Sequence, residues 1–222
     1  MSKDTYYFPH DFNAGSDEKI LYLMRILILG VTGMLGNAMF RMLSEDPALT
    51  VFGSARSDSA KSYFKENLRQ QIVCGVDVEH HDSLVSVFGK VRPEVVINCI
   101  GLVKQVVDVE DPLQAIPINT ILPHRLAALC KVAGARLVHI STDCVFAGAK
   151  GNYVESDFPD ANDLYGRSKL LGDVVVASVR IFRAEGGCAV WCCPSHVEEA
   201  VELLIDLFLS SFDANGNFRA VE

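Results

Sequence analysis

Tyr165 and Lys169 stand four residues apart, a spacing that puts both on one face of a helix. An ammonium beside a phenol favours the phenolate and draws its pKa down from ~10 toward working pH. Upstream, an apolar strand ends in Ser141-Thr142-Asp143. A hydroxyl from that strand end can hydrogen-bond the same substrate oxygen as the tyrosine. The set is a proton donor plus an oxyanion stabiliser, as reduction of a carbonyl by hydride requires. Tyr and Lys four apart are common on solvated helices. The pair gains meaning only from the elements that position it.

The chief of these is residues 24 to 43, MRILILGVTGMLGNAMFRML. A short apolar run, Ile26 to Leu29, meets Gly30, Gly33 and Gly36, then an amphipathic helical pattern. Gly30 lets the chain leave the strand sharply. Gly33 removes the side chain where a diphosphate must come close, and Gly36 lets the helix pack on the sheet. The helix N-terminus then offers free N–H groups and a positive dipole end to phosphate.

From Met24 onward strands and helices alternate. Strands are expected at Ile26–Leu29, Thr50–Ser54, Gln71–Val76, Glu94–Ile100 and Arg136–Ser141, with a sixth within Val174–Phe182. Helices are expected at Leu35–Ser44, Ser59–Asn67, His81–Val91, Pro112–Ala133 (stopped by Gly134) and Asn162–Val175. Near-continuous Val/Ile/Leu strands between helices indicate an α/β, doubly wound parallel sheet covered on both faces. Residues 1–23 precede this pattern and form an N-terminal extension. Residues 24–183 carry the Rossmann-type domain. Residues 184–222 form a short, atypical C-terminal segment. Its one amphipathic helix, Ser195–Ser211, reads as a core-covering element or, alternatively, a partner-binding one.

Net charge is −8, half the residues are hydrophobic and 22% are charged. That balance suits a folded core and gives no basic field for nucleic acid or anionic membrane. No segment is apolar for long enough to cross a bilayer, and the polar start is not a secretory signal. The expected compartment is the cytoplasm. The seven cysteines are odd in number and several sit in apolar runs, which reads as free thiols. Cys188, Cys192, Cys193 and His196 match no standard zinc spacing, so no metal site is expected.

Three stretches, Gly30-Val-Thr-Gly-Met-Leu-Gly36, STDCVFAG at 141–148 and YGRSKLLGD at 165–173, resemble the extended short-chain dehydrogenases/reductases. Within that family they are similar to the dTDP-4-dehydrorhamnose reductase branch of sugar-nucleotide reductases. The resemblance covers residues 24 to 173 and keeps the family's order and spacing. It implies a nicotinamide cofactor and a nucleotide-sugar substrate. It also implies catalytic roles for Tyr165 as general acid, Lys169 as ribose ligand and tuner of Tyr165, and Thr142 as the hydroxyl partner. By the same resemblance Thr32, Met34 and Leu35 join the three glycines at the cofactor, and Asp143 helps shape the substrate site. Asn119 falls where the family often keeps a structural asparagine, and it also reads simply as a polar helix residue.

In this fold an acid at the end of strand two would bond an adenosine ribose and repel a 2′-phosphate. The chain has Gly53-Ser54-Ala55-Arg56 there. Arg56 can pair with a 2′-phosphate, so NADPH is favoured over NADH. Asp77 is expected beside the adenine, and Asn98, Cys99 and Gly101 at the cofactor crevice. Lys104 is a candidate cation for the substrate diphosphate or a surface lysine. The family's substrate-binding part is shortened here: the expected Arg-Thr-Ser-like strand end is absent after the Tyr/Lys helix. Two readings follow. One is an NADP(H)-dependent reductase of a nucleotide-linked 4-keto-6-deoxysugar, acting as a homodimer or with a partner enzyme. The other is a non-catalytic NADP-binding regulatory or interaction subunit of the same family.

Overall fold

The computed structural model describes residues 23–102, 110–154, 156–173 and 178–179. The chain opens with β1 (Met24–Leu29), α1 (Met34–Leu43) and β2 (Leu49–Ser54). A 3₁₀ turn at Asp58–Tyr63, α2 (Glu66–Arg69), β3 (Ile72–Val73), α3 (His81–Val91) and β4 (Val95–Asn98) follow. Then come α4 (Pro112–Ala115), a π-helical turn at Ile116–Ile121 and α5 (Leu122–Ala133). The sequence of elements closes with β5 (Arg136–Ile140), a 3₁₀ turn at Asp143–Val145, α6 (Leu164–Leu171) and β6 (Ser178–Val179).

Among the described residues the strands form one parallel sheet in the order β3-β2-β1-β4-β5-β6. The winding reverses between β1 and β4, so their carboxyl ends open a crevice, the position where such sheets bind ligands. The doubly wound Rossmann-type architecture is therefore as expected from the alternation of elements.

β1 shows why the run Ile26–Leu29 is apolar on both faces. Successive side chains of a strand point to opposite faces. Ile26 and Ile28 enter the core under α1 with Met39, Phe40 and Leu43. Leu27 and Leu29 enter the opposite core with Leu84, Phe88, Leu122 and Leu126 from α3 and α5. The four β1 side chains are fully buried, and burial of each is worth about 1.5–3 kcal/mol.

Several boundaries differ from expectation for local reasons. The polar helix of Ser59–Asn67 is split because Phe64 leaves helical geometry (φ −120°, ψ 152°) and packs edge-on against Phe40, ring centres 5.3 Å apart. β3 is only two residues long, since Gly75 turns away at φ +78° and its N–H reaches the Arg56 carbonyl. The long helix from Pro112 to Ala133 is continuous but changes pitch at Ile116–Ile121. Pro117 and Pro123 each lack the N–H that an ordinary helical ladder needs. Gly134 ends α5 in the left-handed conformation at φ +68°. α6 stops at Leu171, short of Val175. β6 lies inside the expected sixth strand. The N-terminal extension through residue 22, Lys104 and the Ser195–Ser211 helix lie outside the described residues. No described helix is long and apolar enough to cross a membrane.

Candidate functional site

The turn after β1 is built for close approach. Gly30 has φ +85°, its N–H donates to Ser54 Oγ at 3.3 Å, and a Cβ there would meet Ile100 Cγ1 at 2.7 Å. A Cβ on Gly36 would fall on the Gly30 carbonyl, so α1 can lie against the turn only with glycine at 36. Gly33 differs. A Cβ there would find only the Gly30 carbonyl at 3.4 Å, with open space beyond. Thr32, Gly33 and Met34 are exposed, Leu35 is half-buried, and no side chain caps α1. An uncapped N-terminus facing open space over a glycine suits a diphosphate.

At the β2 end Ser54 and Ala55 are buried and Arg56 is exposed. Asp77 comes into its electrostatic reach. One Asp77 carboxylate oxygen accepts the Glu79 N–H at 3.1 Å, and the other pairs with His80 Nδ1 at 3.0 Å. The Glu79 N–H holds the Asp77 carboxyl below its usual range, with His80 and Arg56 adding to the effect.

The opposite wall carries the Tyr165/Lys169 pair. Asp163 caps α6 by accepting the Gly166 N–H at 2.7 Å. A Cβ on Gly166 would fall on the Cys144 carbonyl and within 2.6 Å of Ala161 Cβ, so α6 is pressed onto the loop that carries Thr142. Tyr165 and Lys169 are 9% and 4% exposed, which is far from the solvated helix face that their spacing alone permits. Lys169 Nζ donates to the Ile140 carbonyl at 2.8 Å. Burial pushes the Lys169 ammonium down to about 8, with the Asp173 carboxylate acting against that shift. Thr142 is half-buried. Its Oγ1 accepts the Cys144 N–H at 3.1 Å and donates to Asp143 Oδ1 at 3.3 Å. Downstream, Tyr153 stacks on Phe146 with ring centres 4.5 Å apart, and Lys150 pairs with Asp157, giving the loop before α6 its own small framework.

The end of β4 completes the crevice with backbone. A Cβ on Gly101 would lie 3.7 Å from Lys169 Nζ and 3.6 Å from Asn119 Oδ1. The Asn119 amide accepts the Leu102 N–H at 2.8 Å and donates to the Leu102 carbonyl and Ser168 Oγ, both at 3.1 Å. Thr120 Oγ1 donates to the Ser168 carbonyl at 2.8 Å. The π turn thus faces α6, and a Cβ on Gly172 would overlap the Asn119 carbonyl.

The structure brings Gly101 and Lys169 together, with Tyr165 one turn earlier on α6 and Thr142 on the loop against that helix. The Asn98 side chain turns into the core. Asn98 is fully buried: its Oδ1 accepts the Ile100 N–H at 3.1 Å and its Nδ2 faces His139 Nδ1 at 3.0 Å. Cys99 Sγ lies 3.9 Å from Met39 Sδ, and burial pushes its thiol up to about 12. The Cys99 side chain is half-buried and within electrostatic reach of Lys169. Gly166, Gly172, Ser141 and Asp173 act on the site without having been singled out for it. The only sequence signal for the two glycines was their place inside and just after the Tyr/Lys helix.

A profile of the RmlD substrate binding domain matches residues 24–184. Methionine adenosyltransferase 2 subunit beta of Danio rerio is 30% identical over 165 residues, covering 73% of this chain and 47% of the relative. A hypothetical dTDP-4-dehydrorhamnose reductase structure from Sulfolobus tokodaii has a TM-score of 0.57 at 34% identity, covering 67% of this chain and 50% of that one. The Bacillus anthracis dTDP-4-dehydrorhamnose reductase, solved in complex with NADP, has a TM-score of 0.54 at 26% identity, covering 68% and 48%. The chain spans about half the length of the curated relatives it matches. With motifs, sheet order and profile in agreement, the chain belongs to the RmlD substrate binding domain family, the dTDP-4-dehydrorhamnose reductase-like branch of the extended short-chain dehydrogenases/reductases.

Proposed function

We propose that the chain binds NADPH across the β1/β4 crevice and reduces a nucleotide-linked 4-keto-6-deoxysugar. The observation that carries this reading is the burial of Lys169, tethered to the Ile140 carbonyl one helical turn after the buried Tyr165. A lysine is kept out of water at a cost, which marks a functional position. The open space above Gly33 and the uncapped α1 suit the cofactor diphosphate, and Arg56 suits a 2′-phosphate. Gly30, Thr32, Met34, Leu35, Gly36, Asp77 and Gly101 line the rest of its path, with Asn98 and Cys99 contributing main chain. NADPH supplies hydride when bound.

The remaining steps belong to the chain's own residues. Lys169, an ammonium below pH of about 8, binds the ribose and favours ionisation of Tyr165. Tyr165 delivers its phenolic proton to the sugar oxygen, and Thr142 orients that oxygen by hydrogen bonding. Asp143, and Lys104 from outside the described residues, serve the substrate. The test is calorimetric titration with NADPH and NADH, for wild type and Arg56→Ala, followed by NADPH oxidation with a dTDP-4-keto-6-deoxysugar. Tighter NADPH binding that Arg56→Ala abolishes is expected, together with turnover lost in Tyr165→Phe. Equal inertness of wild type and Tyr165→Phe, with both binding NADPH, sinks the enzyme reading.

A second reading is favoured by the 30% identity to methionine adenosyltransferase 2 subunit beta, a protein named as a subunit. In that reading the chain binds NADP and works as a non-catalytic partner of another enzyme. Stoichiometric co-elution with a partner enzyme, without reductase activity, would support it.

A further inference from the structure

Asp173 lies just past the C-terminus of α6, where the helix dipole disfavours a carboxylate. It is held there by a specific bond: Ser141 Oγ donates to Asp173 Oδ1 at 2.6 Å. Ser141 is buried and directly follows β5. The residue before it, Ile140, accepts the Lys169 ammonium at 2.8 Å. Two consecutive residues, Ile140 ending β5 and Ser141 after it, therefore grip Lys169 on α6 and Asp173 just past its end. Together these bonds fix both the height and the rotation of the last turn of α6 against the sheet.

The carboxylate also answers a charge. Lys169 shares α6 with Tyr165, and Cys99 from just after β4 and His139 from β5 lie within its electrostatic reach. From α5, His124 acts on His139 and its ring bonds the Leu171 carbonyl at 2.8 Å. Cys99 stays a thiol and His139 stays neutral at neutral pH, so neither offsets the lysine charge. Asp173 acts on Lys169 in the direction that favours the ammonium.

We propose that Asp173, clamped by Ser141, is a positioning residue that seats Lys169 as an ammonium at the end of β5, ready for the cofactor ribose. The proposal rests on the reading of Lys169 as the cofactor-binding lysine. The coupling itself is measured without cofactor. In the full-length chain carrying labelled lysine, the Lys169 side-chain resonance is identified by its loss in Lys169→Met and titrated by NMR. Asp173→Asn keeps an acceptor for Ser141 but removes the charge, and is expected to lower the Lys169 midpoint by about one pH unit. Asp173→Glu restores it, and Ser141→Ala, which removes the hydroxyl donor, lowers it by less. NADPH affinity in Asp173→Asn should fall roughly tenfold at pH 8.5 and hardly change at pH 6.5, where Lys169 is charged in either protein. A Lys169 midpoint unmoved in both Asp173→Asn and Ser141→Ala overturns the proposal. So does an unchanged pH dependence of NADPH binding in Asp173→Asn. If even wild type fails to bind NADPH, the cofactor reading falls, and the lysine titration still decides the role of Asp173.

Discussion

Asn119 donates to Ser168 Oγ at 3.1 Å, joining the π turn to the residue next to Lys169. The same amide satisfies both backbone groups of Leu102. Asn119→Ala leaves the half-buried Leu102 N–H and carbonyl without this partner and takes one donor from the Ser168 hydroxyl, which keeps its bond to the Tyr165 carbonyl. Leaving such groups unpaired costs about 1–3 kcal/mol each before relaxation. Urea unfolding is expected to show a loss of at least about 2 kcal/mol, with weaker NADPH binding. An unchanged midpoint would mean that the amide is dispensable to the joint.

Gly166→Ala places a methyl on the Cys144 carbonyl and against Ala161. α6 must then lift off the Thr142 loop, which costs about 1–3 kcal/mol. Turnover should fall further than stability does, because Tyr165 moves with the helix. Comparing kcat with the thermal midpoint checks this, and a fall in stability with kcat intact would count against it.

Lys169 carries a stability cost that depends on pH. Its folded pKa, about 8, lies below the ordinary 10.5. Between those values the unfolded chain holds a proton that the folded chain has released, so stability rises with pH across that window. Below pH of about 8 the full cost of burying the ammonium is present. Lys169→Met is therefore expected to be at least as stable as wild type at pH 7, by up to about 3 kcal/mol. The gap should narrow by pH 10.5. Paired urea titrations at the two pH values measure it, and a gap that widens with pH contradicts the sign.

His139 contributes at the acid side. Its imidazole is fully buried and burial, with the Lys169 charge adding, pushes it down to about 3. Asn98 Oδ1 accepts the Ile100 N–H, so its Nδ2 donates to His139 Nδ1, and the neutral ring carries its proton on Nε2. As pH falls below 6.5 the unfolded chain takes a proton that the folded ring refuses. Stability contributed above pH 6.5 is lost progressively toward pH 3, at up to about 1.4 kcal/mol per pH unit. His139→Gln should flatten the slope between pH 4.5 and 6.5 in acid-unfolding curves. A slope equal to that of wild type would place the proton uptake elsewhere.

The parts legible from sequence were those with a strong local signal. β1, the glycine turn and the boundaries of α3 follow from periodicity and breakers, and the structure keeps them. Spacing and motif single out Tyr165 and Lys169. Their burial was not legible, because a helix face reads as solvated until something is packed on it, and Gly166 and Gly172 are what allow that packing. The inward turn of the Asn98 side chain was not legible, because strand-end residues face either the crevice or the core. Which one applies depends on His139, forty-one positions away. The π turn was hidden since Pro117 and Pro123 disturb a ladder whose apolar pattern otherwise reads as one helix. Long-range partners decide such cases, and no window of sequence contains them.

The Lys169 seat is a main-chain carbonyl, and that determines how the position responds to mutation. A side-chain acceptor could be deleted by one substitution. The Ile140 oxygen remains whatever residue occupies position 140, as long as the strand keeps its register with Val179 in β6. Drift at position 140 should leave the lysine in place over many generations of change. Its acceptor is lost only with the strand itself, so inheritance of the seat is tied to inheritance of the sheet.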